Sequence, residues 1–313
     1  MPLNEILDGF GLSNYAITPF GNGLINNTWL VQTNAERFIL QQINKNIFNS
    51  PPDIAFNIRL VSDYLLHHHP GYLFTIPLKN KEKNDLVKTD EEYFRLFSFV
   101  KHSHTIDVVQ TPHQAYEAAK QFGRFTNLLS ALNPSQLKIT LPNFHNISFR
   151  YRQFEDALQN GNRERINRSK EIIEFIKEQK NIVQTFDEIK SNAGNKIRIT
   201  HHDTKISNVL FDENDKGLCV IDLDTVMPGY FISDVGDMMR TYLSPAGEEE
   251  KDLSKIEIRK DFYKAIVDGY LSEMEDKLSK TEKNYFLYAG KFMIYMQALR
   301  FITDYINNDI YYG

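Results

Sequence analysis

The chain is poor in cysteine. Cys219 is the only one in 313 residues, so no internal disulfide can form, and its place in the mostly apolar run 218–223 suits packing. Long apolar runs are also missing: nothing approaches the ~18 to 20 residues that a membrane helix needs. The opening MPLNEILDGFGL has no basic segment followed by an apolar core, so a cytoplasmic protein without a membrane partner is expected. Dense Lys/Arg clusters are absent, and a formal net charge of −5 leaves no electrostatic footprint for nucleic acid. No internal repeat or low-complexity segment is evident. With 42% hydrophobic and 25% charged residues, the composition is that of a globular enzyme long enough for two lobes around a cleft.

Most of the candidate chemistry lies between Thr200 and Arg240. Two short runs rich in branched or aromatic residues, 209–211 and 218–223, flank a polar turn at 212–217, which predicts a strand hairpin. A polar loop with His201, Asp203 and Asn208 enters the first strand, and the second brings Asp222 and Asp224 to its end. Such a set suits magnesium-dependent phosphoryl transfer: one carboxylate to orient an attacking hydroxyl, an amide and a second carboxylate as hard oxygen ligands for the metal on ATP. Turn and cap chemistry explains each residue alone, but not their order. The pair His202-Asp203 also suggests a His-Asp metal phosphohydrolase. That motif needs a helix, whereas strands are expected on both sides of it.

The order H-x-D-x-x-x-x-N, turn, strand, I-D-x-D resembles the catalytic loop and metal-binding strand of the aminoglycoside phosphotransferase and choline kinase superfamily, distant relatives of protein kinases. The rest of the chain follows in the expected sequence. A short helix at 3–11 and a strand at 16–20 lead into GNGLINNT, where Gly21, Asn22 and Gly23 form a candidate nucleotide loop. Strands at 28–32, 37–42, 73–78 and 93–100 complete a five-stranded sheet, with a helix at 53–69 and a charged hairpin at 80–92 that needs no role beyond solubility. The triplet His67, His68 and His69 reads as a helix end, and His102-x-His104 as loop. From Thr111 the pattern turns helical, with Phe122, Phe125, Leu129 and Leu132 on one core-facing stripe. Helices are expected at 149–158, 163–178, 180–192, 233–242, 254–277 and 281–307. The expectation is an α+β, bilobal, protein-kinase-like fold: a small antiparallel-sheet lobe over 1–99 and a larger, mainly helical lobe over 100–313.

The third strand, FILQQIN, has Gln41 or Gln42 where kinases place a phosphate-holding lysine, and the helix after it has no glutamate. Gln41 is therefore grouped with the nucleotide loop. A nucleotide-binding scaffold without activity is the rival this raises, although a scaffold would not need the full set Asp203, Asn208 and Asp222.

Within the superfamily the chain looks most similar to N-acetylhexosamine 1-kinases, which phosphorylate the anomeric hydroxyl of N-acetylglucosamine or N-acetylgalactosamine with ATP. The carriers are GNGLINNTWLV, RFILQQIN, AYEAAKQFGRF, LPNFHNISFR, THHDTKISNVLFD, VIDLDTVMPG with DVGDMMR, and LRFITDYINNDIYY. The resemblance implies Asp203 as base, Asn208 and Asp222 as Mg²⁺ ligands, and Arg300 and Tyr311 as sugar contacts. Asp224 would face the substrate or stand behind the metal ligands, and Asp234 and Asp237 would hold the catalytic loop. Two departures stand out. Leu24 occupies the place of a family histidine, and family chains continue for some tens of residues past the tyrosine-rich end, so either the sequence is cut at Gly313 or the tail is absent in nature. Another small alcohol, such as choline, ethanolamine, another sugar or an aminoglycoside, is the alternative acceptor.

Overall fold

The structure, a computed structural model, describes residues 3–21, 25–90, 92–247 and 250–312. Its first part comprises α1 (Leu3–Gly9), β1 (Tyr15–Pro19), β2 (Asn27–Thr33), β3 (Arg37–Ile43), α2 (Pro51–His68), β4 (Val87–Lys88) and β5 (Tyr93–Ser98). The strands form one antiparallel sheet in the order β1-β2-β3-β5-β4. Side chains alternate across a strand, so Val31, Phe38, Leu40, Phe94 and Leu96 share one face and close a small core with Ile6 and Leu7 of α1. The same alternation puts Gln41 and its register partner Arg95 on the other face.

The expected strand at 73–78 does not form. Tyr72 joins the helical core, Phe74 stacks on Phe125 at 6.1 Å between ring centroids, and Pro77 has no N–H to give a ladder. What remains is one bridge, Pro77↔Phe97, and a bond from Leu78 N to Leu96 O at 2.7 Å. Val87–Lys88 takes the edge position instead, so the charged segment 80–92 has a structural part beyond solubility. From it Asp85 accepts from Arg59 Nε of α2 at 3.1 Å, and Glu92 accepts from Gln42 Nε2 at 2.7 Å.

The second part holds α3 (Pro112–Leu128), α4 (Ile147–Asn160), α5 (Arg163–Arg168), α6 (Lys170–Glu178), α7 (Asn181–Ser191), β6 (Arg198–Thr200), β7 (Val209–Phe211), β8 (Gly217–Val220), β9 (Met227–Gly229), α8 (Phe231–Tyr242), α9 (Lys260–Met274), α10 (Lys280–Lys283) and α11 (Phe286–Ile306). Thr111 and Gln114 close a capping box on α3, and the stripe Phe122, Phe125, Leu129 and Leu132 is buried as expected. Three helix boundaries differ from expectation. The segment 163–178 breaks at Ser169, whose ψ of 17° leaves the helical range. The helix expected from 254 starts at Lys260, because Arg259 ties the preceding stretch to the carbonyls of Tyr242 and Leu243. The last one is split, since Ser279 and Glu282 cap the short α10 before α11 begins.

The helix α2 lies early in the chain yet packs Ile54, Ile58, Val61 and Leu65 into the large helical core. Its buried Asn57 donates to the carbonyls of Lys138 (2.9 Å) and Val226 (3.0 Å) and accepts from Lys138 N (2.8 Å). The helix is thereby fixed to the turn just after Asp224. No helix among the described residues is long and apolar enough to cross a membrane.

Close packing of α3 on α9 depends on Gly269, where an added Cβ would lie 2.3 Å from the carbonyl oxygen of Tyr116. That neighbour is helix backbone and cannot swing away. Gly269→Ala should therefore push the helices apart and cost about 1–3 kcal/mol of unfolding free energy, as overpacking does. Urea denaturation tests this, and an unchanged midpoint would contradict it.

Candidate active site

The loop between β6 and β7 is clamped from the first turns of α8. Asp234 accepts from His201 N (3.1 Å) and His202 N (2.8 Å), and Asp237 accepts from Thr204 N (2.7 Å). Thr204 Oγ1 donates to Asp234 O and Tyr242 Oη donates to Thr204 O, both at 2.7 Å. Asp234 and Asp237 thus hold the loop, as the sequence suggested. This web sustains a positive φ of 68° at His202, a backbone state that costs on the order of 1–3 kcal/mol. Its result is to turn the Asp203 side chain, 20% exposed, into the cleft.

Asn208 spends its amide nitrogen on Asp203, donating to the backbone oxygen at 2.8 Å and to Oδ2 at 3.0 Å. Its amide oxygen is left as the ligand-capable atom. The backbone oxygen of Asn208 receives Ile221 N at 2.9 Å, which brings the following Asp222 alongside. Asp222 itself is held at φ 60° as it enters the tight turn 223–225. Although Asp222 is exposed by surface area, protein around it withdraws it from bulk water. That withdrawal, then the carboxylates of Asp224 and Asp203, push its carboxyl up to about 7 against the pull of Arg95 and Lys205. The like charges are the firmer of these causes, because an exposed carboxylate keeps part of its hydration.

Asp224 is placed differently from its neighbours. It is 2% exposed, forms an ion pair with Arg95 of β5, and accepts from Asn26 Nδ2 at 2.8 Å. Both its oxygens are engaged, so it fastens the lobes and does not line the cavity in front of Asp203. Gln41 supports the same pair: its Oε1 accepts from Arg95 Nε at 3.0 Å, and its Nε2 donates to Thr28 at 3.4 Å. Gly21, two residues past the end of β1, has φ 76°, and an added Cβ there would meet nothing within 4 Å. Asn22, Gly23 and Leu24 lie outside the described residues.

Asp203 opens onto a cavity of about 630 Å³ that Arg300 and Tyr311 also line, so the structure brings these three distant positions together. The Arg300 guanidinium sits 5.9 Å from the Tyr311 ring centre and 5.6 Å from that of Tyr312, and donates to Gln297 Oε1 at 3.2 Å. Sequence reasoning missed several residues here. Arg95 carried a signal, a charge inside the apolar run YFRLFSF; His145 and Arg150 lay inside LPNFHNISFR without a role being read from them.

His145 and His202 meet behind Asp203, Nδ1 to Nδ1 at 3.3 Å, while His202 Nε2 lies 2.8 Å from Thr200 Oγ1. The Thr200 hydroxyl donates to Met227 O at 3.3 Å, which assigns the Nε2 proton to His202 and the shared Nδ1 proton to His145. Burial, reinforced by His201, pushes His202 down to about 4. Burial first, then His202 and the guanidinium groups of Arg300, Arg240 and Arg150, hold His145 well below the usual imidazole range. His102 and His104 stay in loop, and no cluster of three or more His, Cys, Asp or Glu with metal-site geometry occurs among the described residues. Burial pushes the Cys219 thiol up to about 12, consistent with packing alone.

The model of the APH family, described as a phosphotransferase enzyme family, matches residues 16–276. Among solved structures, a microcompartment-associated aminopropanol kinase is 16% identical with a TM-score of 0.60, covering 98% of this chain and 97% of that one. An AMP-bound spectinomycin phosphotransferase is 13% identical with a TM-score of 0.56, covering 99% and 94%. Choline kinase from Cryptosporidium parvum is 15% identical with a TM-score of 0.56, covering 94% and 85%. These likenesses agree with a small antiparallel-sheet lobe on a larger helical one.

Two outcomes test this arrangement. Arg95→Met leaves the Asp224 charge buried without its partner and should destabilise the protein by about 3–5 kcal/mol, whereas the double change Arg95→Met with Asp224→Leu should recover much of that. Urea unfolding of the three variants reads both, and a loss under 1 kcal/mol for Arg95→Met would rule out a central role for the pair. Stability should also fall with acid through His202. Its folded value, about 4, lies below the unfolded ~6.5, so the unfolded chain takes up the proton first. The contribution is intact above pH 6.5 and is lost as pH drops toward 4, by about 3 kcal/mol. The check is the denaturation midpoint across that window beside the imidazole NMR signals; a His202 ring that titrates normally would contradict it.

Proposed function

The chain belongs to the phosphotransferase enzyme family, and from that premise we propose that it phosphorylates the anomeric hydroxyl of an N-acetylhexosamine, with Asp203 as the base. Membership makes it a small-molecule kinase acting on alcohols and implies ATP as donor. The observation that carries the finer reading is the shared cavity: Asp203, Arg300 and Tyr311 line one space of about 630 Å³, a size suited to a monosaccharide.

In the proposed mechanism the acceptor hydroxyl donates to Asp203, whose carboxylate aligns it and takes its proton as the oxygen bonds to the γ-phosphorus of ATP, the bond from that phosphorus to the bridging oxygen breaks, and ADP leaves with the electron pair. Asn208 fixes the position of that carboxylate through its amide nitrogen and offers its oxygen, with Asp222, to Mg²⁺. The donor set fits this cation: hard oxygens that are too few for a protein cage, so phosphates and water complete the coordination. Bound Mg-ATP supplies the transferable phosphoryl group and offsets the charge that develops on it. Gly21, with open space beside its Cα, suits backbone approach to phosphates, and we extend that role to Asn22 and Gly23. We place the division between lobes near residue 99, with the nucleotide between them. Arg300 can direct its donors at ring hydroxyls or an acetamide oxygen, and Tyr311 offers a flat face to the ring. A cationic acceptor such as choline is disfavoured, since Arg150 and Arg300 line the same cavity.

The test is ATP consumption over N-acetylated hexosamines, plain hexoses, choline, ethanolamine and aminoglycosides, with phosphorus NMR of the product. A 1-phosphate of an N-acetylhexosamine is expected. Asp203→Asn should lower turnover roughly 10²- to 10⁴-fold while nucleotide binding is kept. Turnover on choline and on no sugar would overturn the acceptor assignment, and equal turnover in wild type and Asp203→Asn would overturn the base.

A further inference from the structure

Among the described residues, the charges of the acceptor cavity do not balance at its Tyr311 and Tyr312 end. Four cations line the space: Arg150, Lys205, Arg240 and Arg300. Two of them have acids of their own. Arg240 donates to Asp237 from Nε at 3.0 Å, and Lys205 Nζ lies 3.5 Å from Asp203. Asp304 also lines the cavity, but its two oxygens accept from Tyr311 N and Tyr312 N, both at 2.8 Å. Its hydrogen bonds hold the chain end while its charge remains, so among the described lining residues four cations face three carboxylates, Asp203, Asp237 and Asp304.

Arg150 and Arg300 are left with neutral partners, Gln153 at 2.9 Å and Gln297 at 3.2 Å, and neither forms an ion pair with a carboxylate among the described residues. The Arg150 Nε is buried with no hydrogen-bond acceptor. Burial, and then the like charge of Arg300, lower the Arg150 guanidinium below its ordinary value. His145, held neutral in the same wall, does nothing to offset them. Two half-buried guanidinium groups that repel each other are costly in a site partly shielded from water. A planar fork of donors matches the two oxygens of a carboxylate or a phosphate, and an ion placed there would remove the repulsion.

We propose that the acceptor carries an anionic oxygen group, a carboxylate or a phosphate monoester, bound between Arg150 and Arg300. The proposal rests on the reading of this cavity as the acceptor site. It deepens that reading, because acidic derivatives of the sugar become better acceptors than the neutral sugar. Arg150 is then a specificity-determining residue that acts together with Arg300.

The experiment compares kcat/KM for N-acetylglucosamine, its 6-phosphate, its uronic acid, glucuronic acid and glucose, in wild type, Arg150→Gln and Arg150→Lys. Calorimetry of the same sugars on wild-type protein without nucleotide, at low and high salt, runs beside it. Charge-assisted pairing predicts a preference for the acidic over the matching neutral sugar of roughly 10- to 100-fold. The preference should reside mainly in KM and weaken with salt. Whether the uronic acid or the 6-phosphate gains more identifies the group. Arg150→Gln should collapse the acid-over-neutral ratio to near one, and Arg150→Lys should restore part of it. If Arg150→Gln melts far below wild type, Arg300→Gln reads the same ratio.

The inference is overturned if neutral sugars equal or exceed their acidic forms in wild type, or if both guanidinium variants leave the ratio unchanged. N-acetylglucosamine turnover at such a ratio of one would leave the proposed function standing and remove only the anion. Turnover of glucuronic acid with none of any N-acetylated sugar would do the reverse. If no sugar is turned over, calorimetry decides, and acidic sugars that bind no tighter than neutral ones end the proposal.

Discussion

Taking a guanidinium and a carboxylate out of water costs several kcal/mol for each ion, so a buried pair survives only where its remaining hydrogen bonds are met. Arg95 and Asp224 meet that condition across the two lobes. Gln41 receives the Arg95 Nε, Asn26 donates to the free oxygen of Asp224, and Thr140 Oγ1 donates to its backbone carbonyl at 2.9 Å. The sheet is thereby locked to the turn that presents Asp222, with α2 bound to the end of that turn through Asn57 and Val226. Position 41 is a glutamine and α2 has no glutamate; the buried charge pair that joins the sheet to the turn after β8 is the one between Arg95 and Asp224.

The helical lobe supplies the second constraint. Its loop between β6 and β7 is too polar and too strained to hold itself, with His202 in left-handed backbone and five consecutive polar side chains after Thr200. The carboxylates of Asp234 and Asp237, one turn apart on α8, collect the loop's amides. These acids are tools of positioning. Only Asp203 is left facing the cavity from that loop with a carboxylate, and Asn208 fixes its orientation.

Electrostatics then divides the cleft. At the turn after β8 the carboxylates of Asp224 and Asp203 add to the cost of ionising Asp222, a local excess of negative charge. Toward Tyr311 and Tyr312 the excess is positive, and the two histidines between these regions are kept neutral by burial.

The sequence by itself determined the elements with local signals: the hairpin of β7 and β8, the capped α3, the three-strand meander β1 to β3, and the order of Asp203, Asn208 and Asp222 along the chain. These follow from periodicity, turn chemistry and short-range spacing, which a linear string preserves. It misplaced the edge strand, because Tyr72 and Phe74 could pack on the sheet or the helices, and only the assembled core fixed the choice. It also left Asp224 undecided between substrate and support. That depended on Arg95, 129 residues away, and on the register that sets Arg95 opposite Gln41. The convergence of Arg150 and Arg300 with no ion pair to either among the described residues was likewise a matter of tertiary structure alone. Burial and charge balance are sums over neighbours in space, and the packing of α4 against α11 decides who those neighbours are.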